Sequence, residues 1–335
     1  MTIKAAHLLL ILSLSTLLIQ CSLLSKTKVI ENQKEDPSKL SLELLQELQT
    51  KEQNIKILTD LSSDSMEGRL PGTQGMEKAT IYVEDFLKQN NLVPFFGKSY
   101  RDSFKLGRSQ AYNIVAMAEK YNKEEGMIVI GAHIDHLGLK PNYYNSSTID
   151  TVYNGANDNI SGVTAVLQIA KVFSQYDFKK NIMFVLFSGE EKEFAGSWHL
   201  SNKLKRMNVE INYMLNFEMI GTVLNQGNNM TFLTGYDLSN LAEVMNTKIG
   251  RKLVTYEYNS KKHGLFKRSD NYPFFRTFNI PAHSFSTFDF NNFDYYHHVD
   301  DEVDKLNVEN MSSLINDLSL SISKIINEDA EVKLR

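Results

Sequence analysis

The sequence has a single cysteine, Cys21, so no disulfide can form within the chain and a thiolate-rich zinc site is excluded. Any metal must be held by imidazole and carboxylate. There is no dense lysine and arginine stripe, and the formal net charge is -4. Neither gives a general pull toward nucleic acid. No internal repeat is visible, which excludes solenoid and propeller arrays. The apolar run over 8–19 falls short of the roughly 20 residues that span a bilayer. Against these absences stand 335 residues, 42% of them hydrophobic and 23% charged. That is enough to bury a substantial core in one large α/β domain or two small ones.

Lys4 and His7 precede the apolar run, and Cys21 closes it after Gln20. This order reads as an export signal. A lone cysteine there resembles the lipid-modified cysteine of bacterial lipoproteins, with Gln20 replacing the usual small residue. The expectation is a signal peptide over 1–21 and an exported protein, lipid-anchored to a bacterial membrane and facing the periplasm or cell surface. A plain secretory signal with an incidental cysteine is the alternative. Residues 22–40 are polar and read as a flexible tether. A helix is expected over 41–61, where Leu42, Leu45, Leu48 and Ile55 recur at helical spacing. The main domain is expected over 62–328.

Within that domain, apolar β-branched runs at 113–118, 127–132, 182–187, 213–217, 230–233, 254–258 and 280–285 predict strands. Helical patterns fall between them at 77–88, 161–174, 194–204 and 238–249, with a last helix over 308–326. Near-continuous apolar strands separated by amphipathic helices indicate a sheet covered on both faces. The expected architecture is a three-layer αβα sandwich around a mostly parallel mixed sheet. In such sheets catalytic groups collect beyond the carboxyl ends of the strands.

Polar residues follow three of these strands directly: His133-Ile134-Asp135-His136, Ser188-Gly189-Glu190-Glu191, and Glu218. Asp158 lies in the loop before the helix at 161. Imidazole and carboxylate without thiolate suit a catalytic zinc pair. Each residue also has a plainer reading. His133 fits a satisfied strand-end histidine, Asp158 or Asn159 a helix cap, Ser188-x-x-Glu191 a capping box, and Glu218 a buried ion pair. The segment Asp294-Tyr295-Tyr296-His297-His298-Val299-Asp300-Asp301 brings further imidazole before the last helix, where Asp300 or Asp301 fits a helix start. Phe285, Phe288, Phe290, Phe293, Tyr295 and Tyr296 crowd the approach to His297, as an apolar pocket or as ordinary packing.

The ordered motifs Gly131-Ala132-His133-Ile134-Asp135, Asn154-Gly155-Ala156-Asn157-Asp158-Asn159-Ile160-Ser161-Gly162, Phe187-Ser188-Gly189-Glu190-Glu191 and Tyr296-His297 resemble those of the co-catalytic zinc aminopeptidases. Ser65-Met66-Glu67-Gly68-Arg69 and Ser269-Asp270-Asn271-Tyr272-Pro273-Phe274 extend the resemblance. It implies two zinc ions, with Asp158 bridging, Glu191 and His297 completing one site, and His133 and Glu218 the other. It makes Glu190 the general base and Asp135 the acceptor that orients His133. It also implies a cis peptide between Asp158 and Asn159, and peptide substrates with a free N-terminus. Three positions depart from the family: Glu218 and Asn157 stand where Asp is frequent, and Asn271 where His is frequent. The competing readings are a single-zinc glutaminyl cyclase and a binding relative without activity.

Overall fold

A computed structural model of the chain describes residues 34–140 and 150–335. The expected signal and Cys21, with most of the tether, lie outside the described residues. Among those residues no helix is long and apolar enough to cross a membrane.

Nine strands join into one sheet: β1 (Val93–Pro94), β2 (Arg101–Leu106), β3 (Ser109–Met117), β4 (Met127–His133), β5 (Asn181–Phe187), β6 (Ile211–Phe217), β7 (Thr231–Leu233), β8 (Val254–Thr255) and β9 (Ala282–Ser286). Their order is β1-β3-β5-β4-β6-β9-β7-β8, with β2 paired to β3. The centre, β5-β4-β6-β9, is parallel. The margins turn antiparallel, at β3 against β5 and at β7 against β9. The expected mixed sheet between helices is therefore observed.

Alternation along β4 explains how both faces are covered. Ile128, Ile130 and Ala132 enter the larger core with helices Lys51–Leu61, Gln74–Gln89, Gly162–Phe173 and Val308–Asn327. Met127 and Val129 point the other way, into a second core with Leu200, Leu204 and Phe274. The helix expected over 41–61 is two helices, Leu42–Leu48 and Lys51–Leu61. Thr50 and Gln53 form a capping box that starts the second. The strand expected to reach Tyr258 stops at Thr255, and Tyr258 instead opens a short helix capped by Glu257.

Candidate metal centre

His133 is the last residue of β4, Glu190 and Glu191 follow β5, and Glu218 follows β6. These three neighbouring parallel strands thus deliver their polar ends to one sheet edge. The His133 ring is buried. Its Nε2 lies 3.2 Å from Asp158 Oδ1 and 3.3 Å from Glu218 Oε1. The other Glu218 oxygen accepts from the Ser269 hydroxyl at 2.6 Å.

A second cluster lies on the far side of Asp158. His297 Nε2 is 3.2 Å from Asp158 Oδ2 and 3.3 Å from Glu191 Oε1. His298 points elsewhere: its ring is half exposed, and its Nδ1 accepts from the Asp300 N–H. The two oxygens of Asp158 therefore face two separate donor sets.

Sequence reasoning gave no role to His136. Its buried ring sets Nδ1 3.0 Å from Glu191 Oε1 and 4.0 Å from Asp158 Oδ2, while Nε2 has no protein partner. The signal was present, since His136 follows His133 by three residues in a strand-end motif.

The acceptor for the far nitrogen of His133 differs from expectation. Nδ1 meets the backbone carbonyl of Asp135 at 3.0 Å, whereas the carboxylate stands 4.0 Å away. The Asp135 carboxylate instead accepts from the Glu190 N–H at 3.1 Å, so it shapes the turn carrying Glu190. A carbonyl two residues along the chain reaches the ring with no side chain to position.

The loop carrying Asp158 is fixed from three directions. Asp301 accepts from the N–H groups of Asn157 (2.8 Å) and Asp158 (3.0 Å). Asn159 donates to the Phe217 carbonyl at 2.9 Å and accepts from the N–H groups of Met219 and Gly162. Arg69, fully buried, donates to the carbonyls of Ile134, Leu61, Asn154 and Gly155. The Asp158–Asn159 peptide is cis. Gly68 precedes Arg69 with φ +63°, and a Cβ there would stand 2.3 Å from the Gly138 carbonyl oxygen, so only glycine fits.

Several plain readings now fall away. The helix after Glu191 begins at Ala195, so Ser188 and Glu191 cap nothing. The last helix begins at Val308 behind Asn307, which leaves Asp300 and Asp301 outside it. Asn271 donates to the Phe266 and Ala282 carbonyls and accepts from Ser284, a structural role in the strand's support.

Burial pushes Glu190 well above the usual carboxylate range, and the charges of Glu218, Asp270 and Glu191 add to this against the pull of His133. Burial also raises Asp158, but the bonds from His133 and His297 overcome it and hold this carboxyl well below its ordinary value. The donor set fits zinc. Two ligands of one tetrahedral zinc, each at roughly 2.0–2.1 Å, stand roughly 3.3–3.4 Å apart. The imidazole–carboxylate separations of 3.2–3.3 Å on each side of Asp158 match that spacing. The unpartnered Nε2 of His136 belongs to the same buried group.

Above these residues a pocket opens, walled by Phe288, Phe290 and Tyr296. Of the crowded aromatics these three line it, while Phe285 belongs to the core.

Proteins with similar sequences or folds include an aminopeptidase of Bacillus subtilis and two solved structures. Aminopeptidase YwaD of Bacillus subtilis is 34% identical over 116 residues, covering 33% of this chain and 22% of YwaD. The crystal structure of Legionella pneumophila LapA aminopeptidase matches 85% of this chain and 74% of its own, with a TM-score of 0.65 at 19% identity. Fimbriiglobus ruber glutaminyl cyclase matches 82% and 95%, with a TM-score of 0.62 at 18% identity. At such identities the structures show a shared fold. The chain spans under a third of the length of the first curated relatives it matches. The decisive match is to a family profile over residues 113–319, which takes in the later part of β3 through most of the last helix and every residue of the two clusters. The chain belongs to peptidase family M28.

Proposed function

We propose that this chain is a zinc-dependent aminopeptidase with two metal ions, acting on peptides that carry a free N-terminus. His133, Asp158 and Glu218 would hold one ion. Asp158, Glu191 and His297 would hold the other, with His136 bonded behind Glu191. The observation that carries this reading is Asp158, whose two oxygens face two separate donor clusters.

Bound zinc supplies a Lewis acid for the scissile carbonyl and lowers the pKa of water toward neutrality. The chain does the rest. Glu190 lines the pocket beside His133 and Asp158, where it takes the proton of the attacking water and returns it to the departing amine. The Asp135 carboxylate fixes the turn that aims Glu190. Phe288, Phe290 and Tyr296 keep water from one wall and accept an apolar side chain. Export with a lipid anchor at Cys21 completes the proposal, motivated by the sequence order around residues 8–21.

A single-zinc cyclase shares the fold, but the second cluster, with its own His297 and Glu191, supports two ions. Elemental analysis and a panel of aminoacyl p-nitroanilides test the proposal together. Two zinc per chain are expected in active protein, and Glu190→Gln should keep both while losing roughly 10²–10⁴ in kcat. Full activity with one zinc, or Glu190→Gln within a few-fold of wild type, overturns it.

A further inference from the structure

Among the described residues, only one lysine or arginine, Arg268, lines the pocket above the two clusters. Arg268 is exposed, whereas Thr234, Ser269, Ser284 and Ser286 around it are buried, so it forms the rim. It stands one residue from Ser269, the hydroxyl that donates to Glu218. Its guanidinium carbon lies 5.6 Å from the centre of the Phe290 ring, a cation–π contact that steadies the side chain. Among the described residues no carboxylate pairs with it. Arg101 and Arg251, by contrast, are each held by carboxylates of the chain.

The pocket therefore has a polarity. Asp158, Glu190 and Glu218 lie at its floor, aromatic faces form the wall, and a guanidinium that no described carboxylate pairs stands at the rim. A planar guanidinium with five donors matches a carboxylate in two parallel bonds. A substrate carboxylate that is not taken up by the metal site finds its paired donors at the rim. A dipeptide spans about 7 Å from end to end, which sets its amine and its carboxylate apart.

We propose that Arg268 recognises a carboxylate on the substrate, so that the preferred substrates are short peptides bearing one beyond the scissile bond. The α-carboxylate of a dipeptide and the side chain of Asp or Glu after the bond share this chemistry. The inference rests on the aminopeptidase reading for the placement of the amine. Arg268 touches substrate without taking part in proton transfer.

The test measures binding to the full-length, zinc-loaded chain by calorimetry, so that it does not depend on turnover. The probes are dipeptide analogues of Leu-Ala whose peptide bond is reduced to CH2–NH, as the free acid and as the carboxamide. A second pair, with Glu or Gln before a C-terminal amide, separates a side-chain carboxylate from the terminal one. In wild type the acid of at least one pair should bind about tenfold or more tightly than its neutral partner. Arg268→Gln should shrink that ratio to about twofold or less, and Arg268→Lys should keep part of it because the charge remains. Equal binding of acid and neutral probes, a preference that survives Arg268→Gln, or no binding of either pair overturns the inference. Failure of the aminopeptidase reading is registered separately, by the zinc count and the anilide panel.

Discussion

Arg69 offers the sharpest test of how the site is supported. Its guanidinium is fully buried and makes four hydrogen bonds, all to backbone carbonyls: Ile134 after β4, Leu61 at a helix end, and Asn154 and Gly155 before Asp158. Burial lowers Arg69 to about 10, against the opposing pull of Asp301, Asp135 and Asp158, so it stays charged at neutral pH. Replacing it with Met keeps a stem of similar length and leaves four carbonyls and three carboxylates without their cation. An unsatisfied buried polar group costs about 1–3 kcal/mol, and the relief of desolvating the guanidinium offsets several kcal/mol. Four carbonyls left without donors, set against the relief of the guanidinium's desolvation, leave a net loss on the order of 3–5 kcal/mol for Arg69→Met. Urea unfolding at unchanged m reads the loss directly. The effect should persist in chelator-treated protein, because the bonds hold backbone rather than metal. Arg69→Lys should fall between, since an ammonium cannot reach all four carbonyls. Arg69→Met within about 1 kcal/mol of wild type would refute the reasoning and mean that water replaces the donors.

Three further outcomes are expected. His297→Ala should lose zinc and activity while His298→Ala keeps most of both, since only the first ring reaches Asp158 and Glu191; the reverse result in elemental analysis would move the ligand by one residue. Burial lowers His283 to about 4 from an ordinary 6.5, so the neutral ring is bound between Ser239 and the Thr234 carbonyl. Above pH 6.5 its contribution is complete, and as the pH falls toward 4 the unfolded chain takes the proton first. Stability should then drop by about 3 kcal/mol across that window; His283→Gln should flatten this part of a pH-resolved unfolding curve, and an unchanged slope would contradict it. If Cys21 carries lipid, the full-length chain should partition into detergent and Cys21→Ser into the aqueous phase; equal partitioning leaves a plain secretory signal.

The parallel strands were legible because their apolar runs are continuous, and the residues just beyond them followed from the rule that such sheets gather chemistry at their carboxyl ends. β2 was not legible. Its inward positions are Asp102 and Phe104, and a buried aspartate spoils the period that marks a strand. That carboxylate is held by Lys203 at 2.6 Å and by His199 at 3.3 Å, partners about a hundred residues away. Arg69 and Asp301 were hidden for a related reason. They bind backbone groups, and a carbonyl or N–H carries no residue identity for a motif to display. The oriented His133 ring misled in the same way, with a main-chain carbonyl where a side chain was expected.

The joining of the first two helices to the last bears on the order in which the site is assembled. Asn54 donates to Ser312 at 2.8 Å, 258 positions along, and Ser319 donates to Gln49. The loop that carries His297 and Asp301 comes shortly before that last helix. Contacts of such separation close only after most loop entropy has been lost, which makes assembly slow. A chain still lacking this segment holds His133, Asp158, Glu191 and Glu218 without the His297 ring that faces Asp158 and Glu191. The second cluster is therefore completed only when this late segment packs against residues that precede it by more than a hundred positions.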